Sequence, residues 1–439
     1  MKITTLSRGT VILAALGLVE LMFTIFAAQL ADRETTYPLY LALYLAMGVI
    51  WLVASHYLAG NPSPTRTDLR LVVLVAVALR VPFLLTEPLL SDDIFRYVWD
   101  GRVQHAGINP YLYAPAEHEL AFLREGHEQN FNRINNKDIP TIYPPFMQMA
   151  FFAATAVSTS VAWMKLFFVF ADLVLMFVLM QLLGALGLNP VRALTYAWSP
   201  LVVVEVAGSG HNDALAVLCV MAALSAIVHN RQSLSIFLLT LSGMGKIVGF
   251  TLTPLWLRSL SPRALFVMPL VSVLLALPYA SAGSLAFRGL TQYGLRWRGN
   301  DGLFHILYYV TGSLDTAKII VGAFLVTMVL VLVAMKANPL RSSYLTLGAI
   351  LLLTTTVHPW YLLWIAPFLA IYASPAWLYL SLSVALAYHS AYLATPGQPW
   401  EDVVWVKLLE YVPFFGLALG SLWRERGAWR TFVGLNSPS

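Results

Sequence analysis

The chain has 439 residues, of which 59% are hydrophobic and only 11% charged, with a formal net charge of +5. An ordinary soluble domain carries about 25% charged residues, and the mean hydropathy here is +0.71. These figures exclude a disordered chain, a disulfide scaffold (the single cysteine is Cys219) and a cytosolic nucleotide-binding enzyme. They predict an all-α, polytopic bundle of membrane helices.

Apolar runs of about 17–25 residues can span a bilayer. Taken in order, they are 10–30, 38–59, 71–86, 163–186, 193–208, 214–228, 264–280, 317–335, 344–357, 360–373, 377–394 and 404–423. With two ambiguous stretches, this gives about 12–14 membrane helices. From Ser343 to Trp400 there is no Asp, Glu, Lys or Arg, which predicts a block of packed, lipid-facing helices. Segment 87–142 holds nine acidic and five basic residues and is net −4, so the rest of the chain is +9. Arg and Lys otherwise gather in short connectors, including Arg66, Arg192, Arg231, Arg258 and Lys336, as expected of cytoplasmic loops. A single topology accommodates those charges if 143–158 lies along the outer interface and 233–257 turns back on itself at Gly243-Met244-Gly245-Lys246. The alternative makes both stretches ordinary spans and moves Arg192 and Arg231 outside.

Under this topology four polar clusters share the non-cytoplasmic side. They are Ser91-Asp92-Asp93-Ile94-Phe95-Arg96, Gly208-Ser209-Gly210-His211-Asn212-Asp213, Lys246, and His358-Pro359-Trp360. Ionisable groups at membrane depth are costly and mark function by default. Adjacent carboxylates at a cavity mouth raise each other's proton affinity, which tunes a general base. Asp92 and Asp93 also read as a helix cap, and His211-Asn212-Asp213 as the cap of the next helix. Lys246 in an apolar run needs a partner or an anionic ligand, and phosphate is the natural one. Arg296 and Arg298 are interfacial anchors or phosphate ligands, while Asp172, Glu205 and Glu20 read as acids paired between helices. No clustered Cys/His spacing calls for a metal, and neither a Gly-rich nucleotide motif nor any other cofactor signature is present. A sugar or phosphate donor used outside would therefore arrive on a lipid carrier.

The motif order resembles the GT-C superfamily of polytopic glycosyltransferases, in particular the polyprenyl-phosphate-mannose-dependent branch that includes the GPI mannosyltransferase I catalytic subunit. The residues carrying the likeness are Ser91 to Gly101, Gly107-Ile108-Asn109-Pro110-Tyr111, Tyr143-Pro144-Pro145, Gly210-His211-Asn212-Asp213, and Lys246 before Pro254. They cover about residues 70–260, and no spaced D-x-D stands at the loop head. The resemblance implies two N-terminal membrane helices (1–69), a GT-C-like catalytic core (70–280) with an external loop (87–162), and a further external loop with C-terminal membrane helices (281–439). It implies inverting transfer of a hexose, mannose foremost, from a polyprenyl-phosphate donor to a glycan or glycolipid acceptor. The setting is a cell membrane, and the active site faces away from the cytoplasm. One of Asp93 and Asp92 is then the base. Lys246, Arg96, His211, Arg296 and Arg298 are the implied ligands of the donor phosphate. Asn212, Asp213, Tyr143, His358 and Trp99 are implied to contact substrate. A transporter or lipid flippase is the main rival, since broken helices and buried charges serve transport as well. The one-sided acidic loop and the lack of an internal repeat stand against it.

Overall fold

The computed structural model describes residues 7–30, 33–60, 64–393 and 403–424. The chain is an all-α bundle; among the described residues the only extended pairing is one isolated bridge, between Gly299 and Thr356. Among the described residues six helices are long and apolar enough to cross a membrane. The first, Arg8–Ala28, has 21 residues, and at about 1.5 Å per residue it matches the hydrocarbon thickness of a bilayer. Several of the expected spans are instead short, broken helices. Segment 193–208 is divided at Ser199-Pro200 and ends in a π-helical turn, Val203–Gly208. Segment 360–373 consists of a 3-10 turn, Pro359–Trp364, and a short helix, Ala366–Tyr372. Prolines at helix starts explain the breaks, because proline lacks the N–H that would continue an upstream helix.

Polar side chains lock the neighbours of the site. Thr65 and Asp68 form a reciprocal capping box on the helix Arg66–Leu84, and Asp68 also accepts from Thr10 Oγ1 at 2.7 Å. Deeper in that helix, buried Arg80 pairs with Asp172 at 2.6 Å and donates to the carbonyls of Ala76 and Ala197. Tyr196 donates to the other oxygen of Asp172. Removing either charge would strand the other in apolar surroundings, a loss of about 3–5 kcal/mol. Glu20 departs from its expected pairing: it is fully buried, and neither carboxylate oxygen has a hydrogen-bond partner.

Lys165, on the long helix Val161–Ala185, donates to the carbonyls of Phe83 and Thr86 at 2.5 and 2.7 Å. It thereby adds a charged donor to carbonyls at and just beyond the end of Arg66–Leu84 and ties the start of the acidic loop to the helix Val161–Ala185. The second ambiguous stretch does break at Lys246. The helix Gln232–Gly245 stops there, and Lys246 takes extended angles (φ −144°, ψ 120°). Gly249 then folds back onto Ser242 and Gly243, where a Cβ would lie 2.7 Å from the Gly243 nitrogen. The helix Pro145–Thr155 has only 11 residues, too short to span. The charge-free block is largely buried rather than lipid-facing: Trp360, Trp364, Phe368, Leu380 and Tyr388 all belong to the central core.

Candidate active site

A cavity of about 670 Å³ opens among the head of the acidic loop, the Lys246 turn and three segments of the second half of the chain. Asp93 begins the helix Asp93–His105 and lines this cavity with its side chain about 20% exposed. Its Oδ1 accepts from Asn135 Nδ2 at 2.7 Å. Burial raises the Asp93 carboxyl above its ordinary value; Asp213 and Asp92 add to this, while Asn135 and Lys246 oppose it. Asp92 lines the same cavity but is already engaged. Arg133 donates to its Oδ1 from Nη2 at 2.8 Å and from Nε at 3.2 Å, and also reaches Glu87. Asp92 holds the cap position without making a cap bond, so it neither caps the helix nor orients Arg96.

Lys246 lines the cavity, lies 5.5 Å from the Tyr143 ring centroid, and is paired with buried Asp213 at 3.1 Å. The partner that this lysine requires is thus supplied from within the chain, and about a fifth of its side chain stays open to the cavity. Asp213 also accepts from Trp364 Nε1 at 2.9 Å. Arg298 lines the wall from the other side, held by Asp301 at 2.7 Å and by His305. Lys407 of the C-terminal helix Val404–Arg424 reaches Asp301 as well, at 2.5 Å. Gly299 pairs its backbone with Thr355 and Val357, which sets the 297–300 wall against the segment bearing His358.

Tyr143 and His358 are brought to the cavity. Arg96 reaches its edge, with Nε committed to Asp100 at 2.7 Å and Nη1 to the Ile139 carbonyl. Other expected ligands are not brought there. His211 is fully buried and stacked on Trp360, with ring centroids 4.0 Å apart. Burial, Lys246 and His358 hold its imidazole well below the usual pKa, so the ring is neutral and cannot act as a cation toward phosphate. Asn212 and Asp213 are buried and do not line the cavity, and Asp213 reaches it only through Lys246. Trp99 faces away, packed on Phe131 and beneath Arg102. Arg296 ends the helix Arg288–Arg296, and its side chain lies outside the described residues. Among the described residues no group of three or more His, Cys, Asp or Glu side chains is arranged to hold a metal ion.

The cavity at the loop head is thus lined by a carboxylate that no arginine or lysine among the described residues pairs, Asp93, together with a lysine and two arginines. Residues 4–260, more than half of the chain, match the model of the MptA_B family, alpha-(1->6)-mannopyranosyltransferase, N-terminal domain. The chain belongs to this mannosyltransferase family. It is therefore a membrane glycosyltransferase of the GT-C type. The match has no bearing on the finer likeness to the GPI mannosyltransferase I catalytic subunit. No curated protein matches the chain.

In this mannosyltransferase the matched segment supplies Asp93, Tyr143 and Lys246, whereas Arg298, His358, Trp360, Tyr361 and Tyr388 come from beyond it. Tyr293 and Tyr361, whose hydroxyls share a short hydrogen bond, also line the cavity. Sequence reasoning passed over Tyr293, Tyr361, Tyr388 and the Asp92 partner Arg133. Tyr388 sits in an apolar stretch without a motif, Tyr293 lies in the basic helix that ends at Arg296, Tyr361 directly follows His358-Pro359-Trp360, and Arg133 is one of several loop cations. Gly210 carries a clearer signal. It has φ +76°, and a Cβ there would come within 2.3 Å of Ile94 Cδ1, so only glycine fits between the two polar clusters.

Proposed function

We propose that the chain transfers a mannosyl residue from a polyprenyl-phosphate donor to a hydroxyl of a glycan or glycolipid acceptor, with inversion, at the non-cytoplasmic face of the cell membrane. Asp93 takes the proton of the attacking hydroxyl. The oxygen forms its bond to the anomeric carbon as the bond to the phosphate oxygen breaks, and the electron pair leaves with the phosphate. Lys246 and Arg298 meet the charge that develops there, with Arg96 at the edge. Tyr143, Trp297 and the neighbouring aromatic rings give the sugars apolar faces. The description of the family favours an α-(1→6) linkage. The observation that carries this reading is the pairing pattern: Arg133 occupies Asp92, while Asp93 faces the cavity it shares with Lys246.

The donor class is tested with purified protein in bilayers, given radiolabelled mannose either on polyprenyl phosphate or on a nucleotide diphosphate. Label moves to the acceptor from the lipid only; transfer from the nucleotide sugar alone overturns the reading. Sidedness has its own check. In a Cys219→Ala background, single cysteines at exposed Gln129 and Ser160 are expected to react with an impermeant thiol reagent from outside. A cysteine at exposed Arg231 is expected to react only after permeabilisation. The reverse pattern places the active site on the cytoplasmic side.

A further inference from the structure

Behind Asp93 lies a set of buried groups that the transfer mechanism above does not use. His211 has two ring nitrogens, both buried and neither with a hydrogen-bond partner. Each faces a carboxylate: Nδ1 is 3.9 Å from Asp93 Oδ2, and Nε2 is 3.4 Å from Glu205 Oε2. Glu205 sits in the π-helical turn Val203–Gly208, a local geometry frequent at functional sites. Tyr388, on the cavity wall, donates its hydroxyl to both Glu205 oxygens at 3.0 and 2.9 Å. The ring is held in plane by Trp360, which is stacked in turn on His358 at 4.3 Å.

We infer that His211 is a positioning residue for the base, donating from Nδ1 to Asp93, with Glu205 and Tyr388 fixing the tautomer that makes this donation possible. The inference rests on Asp93 being the base. A neutral imidazole has one N–H and one lone pair. If Nδ1 donates to the Asp93 carboxylate, Nε2 must accept, so Glu205, the group facing it, is the protonated acid and donates to Nε2. The separations are 3.4 and 3.9 Å, and catalytic hydrogen bonds commonly tighten when substrate binds. The other groups acting on Asp93 are Asn135, Lys246, Asp213 and Asp92; those acting on His211 from the cavity side are Lys246 and His358. A donor at Nδ1 stabilises the Asp93 anion, so its removal raises the Asp93 pKa.

The test uses the full chain in bilayers with polyprenyl-phosphate mannose as donor, with rates followed across pH. His211→Phe keeps a ring on Trp360 and removes both nitrogens. It is expected to lower kcat about 10- to 100-fold, the size of one hydrogen bond to a charged group. The acid limb of the rate profile moves to higher pH while the donor KM stays within about twofold of wild type. His211→Asn returns an N–H near the Nδ1 position and recovers part of the loss. Glu205→Ala falls like His211→Phe, whereas Glu205→Gln, which still donates to Nε2, recovers most of the rate. Tyr388→Phe supplies a milder variant should Glu205→Ala fail to fold, and is expected to shift the acid limb in the same direction. Unchanged rate and unchanged acid limb in His211→Phe, or equal losses in Glu205→Ala and Glu205→Gln, overturn the inference. If Asp93→Asn still transfers at the wild-type rate, the fault lies with the base assignment itself; if Asp93→Asn is inactive and the His211 variants are normal, only the positioning role fails.

Discussion

Asp93→Asn is expected to lower the transfer rate by roughly 10²–10⁴-fold, the usual size of a general-base contribution, with donor binding close to normal. Asparagine keeps the shape of the side chain and can still bond to Asn135, but it cannot accept the acceptor's proton. Asp92→Asn serves as the contrast. It weakens a pair with Arg133 whose two side chains are 34% and 41% exposed, and such a pair is worth at most about 1 kcal/mol, or about fivefold in rate. The same assignment fixes a pH dependence. Only the ionised carboxylate can act as base, so the rate falls as pH falls through the Asp93 pKa. Burial raises that pKa, so the fall is displaced to higher pH than for an ordinary aspartate. Equal activity of Asp93→Asn and wild type in a steady-state transfer assay would remove Asp93 from the mechanism.

Lys246→Ala is expected to raise the donor KM by about 10- to 100-fold, the loss of one charge-assisted hydrogen bond to phosphate. Lys246→Arg should lose less, because the charge remains although its geometry changes. The paired carboxylate gives the substitution a second signature. Lys246 lowers the Asp93 pKa, so its removal shifts the acid limb of the rate profile to higher pH. It also removes the ion-pair partner of buried Asp213, whose other oxygen accepts from Trp364. Asp213→Asn in the Lys246→Ala background relieves that stranded charge and is expected to restore stability without restoring donor affinity. Wild-type donor KM in both lysine variants would make the Lys246–Asp213 pair purely structural.

Membrane character, helix class and the loop-head carboxylates were legible because each leaves a local mark: long apolar runs, a one-sided acidic loop, adjacent aspartates after a span. The break at Lys246 was legible for the same reason, since Gly-Met-Gly-Lys interrupts an apolar run. Long-range pairing was not. That Arg133 takes Asp92, or that Asp213 takes Lys246, depends on segments separated by 41 and 33 positions whose approach only the packed bundle defines. His211 shows the limit most clearly. A histidine between two spans reads as a cationic ligand, yet burial makes it neutral and turns its nitrogens toward carboxylates. The charge-free block read as lipid-facing for want of charges, while its His358, Trp360, Tyr361 and Tyr388 side chains build one wall of the cavity.

The stereochemistry of the product tests the account most directly. A base on one side of the anomeric carbon and a phosphate departing from the other permit a single displacement, and a single displacement inverts configuration. With an anomerically pure polyprenyl-phosphate mannose as donor, the new linkage, assigned by NMR of the isolated product, is expected to have the opposite anomeric configuration, α from a β-linked donor. A product that keeps the donor's configuration would exclude the single displacement and contradict the inverting mechanism proposed here.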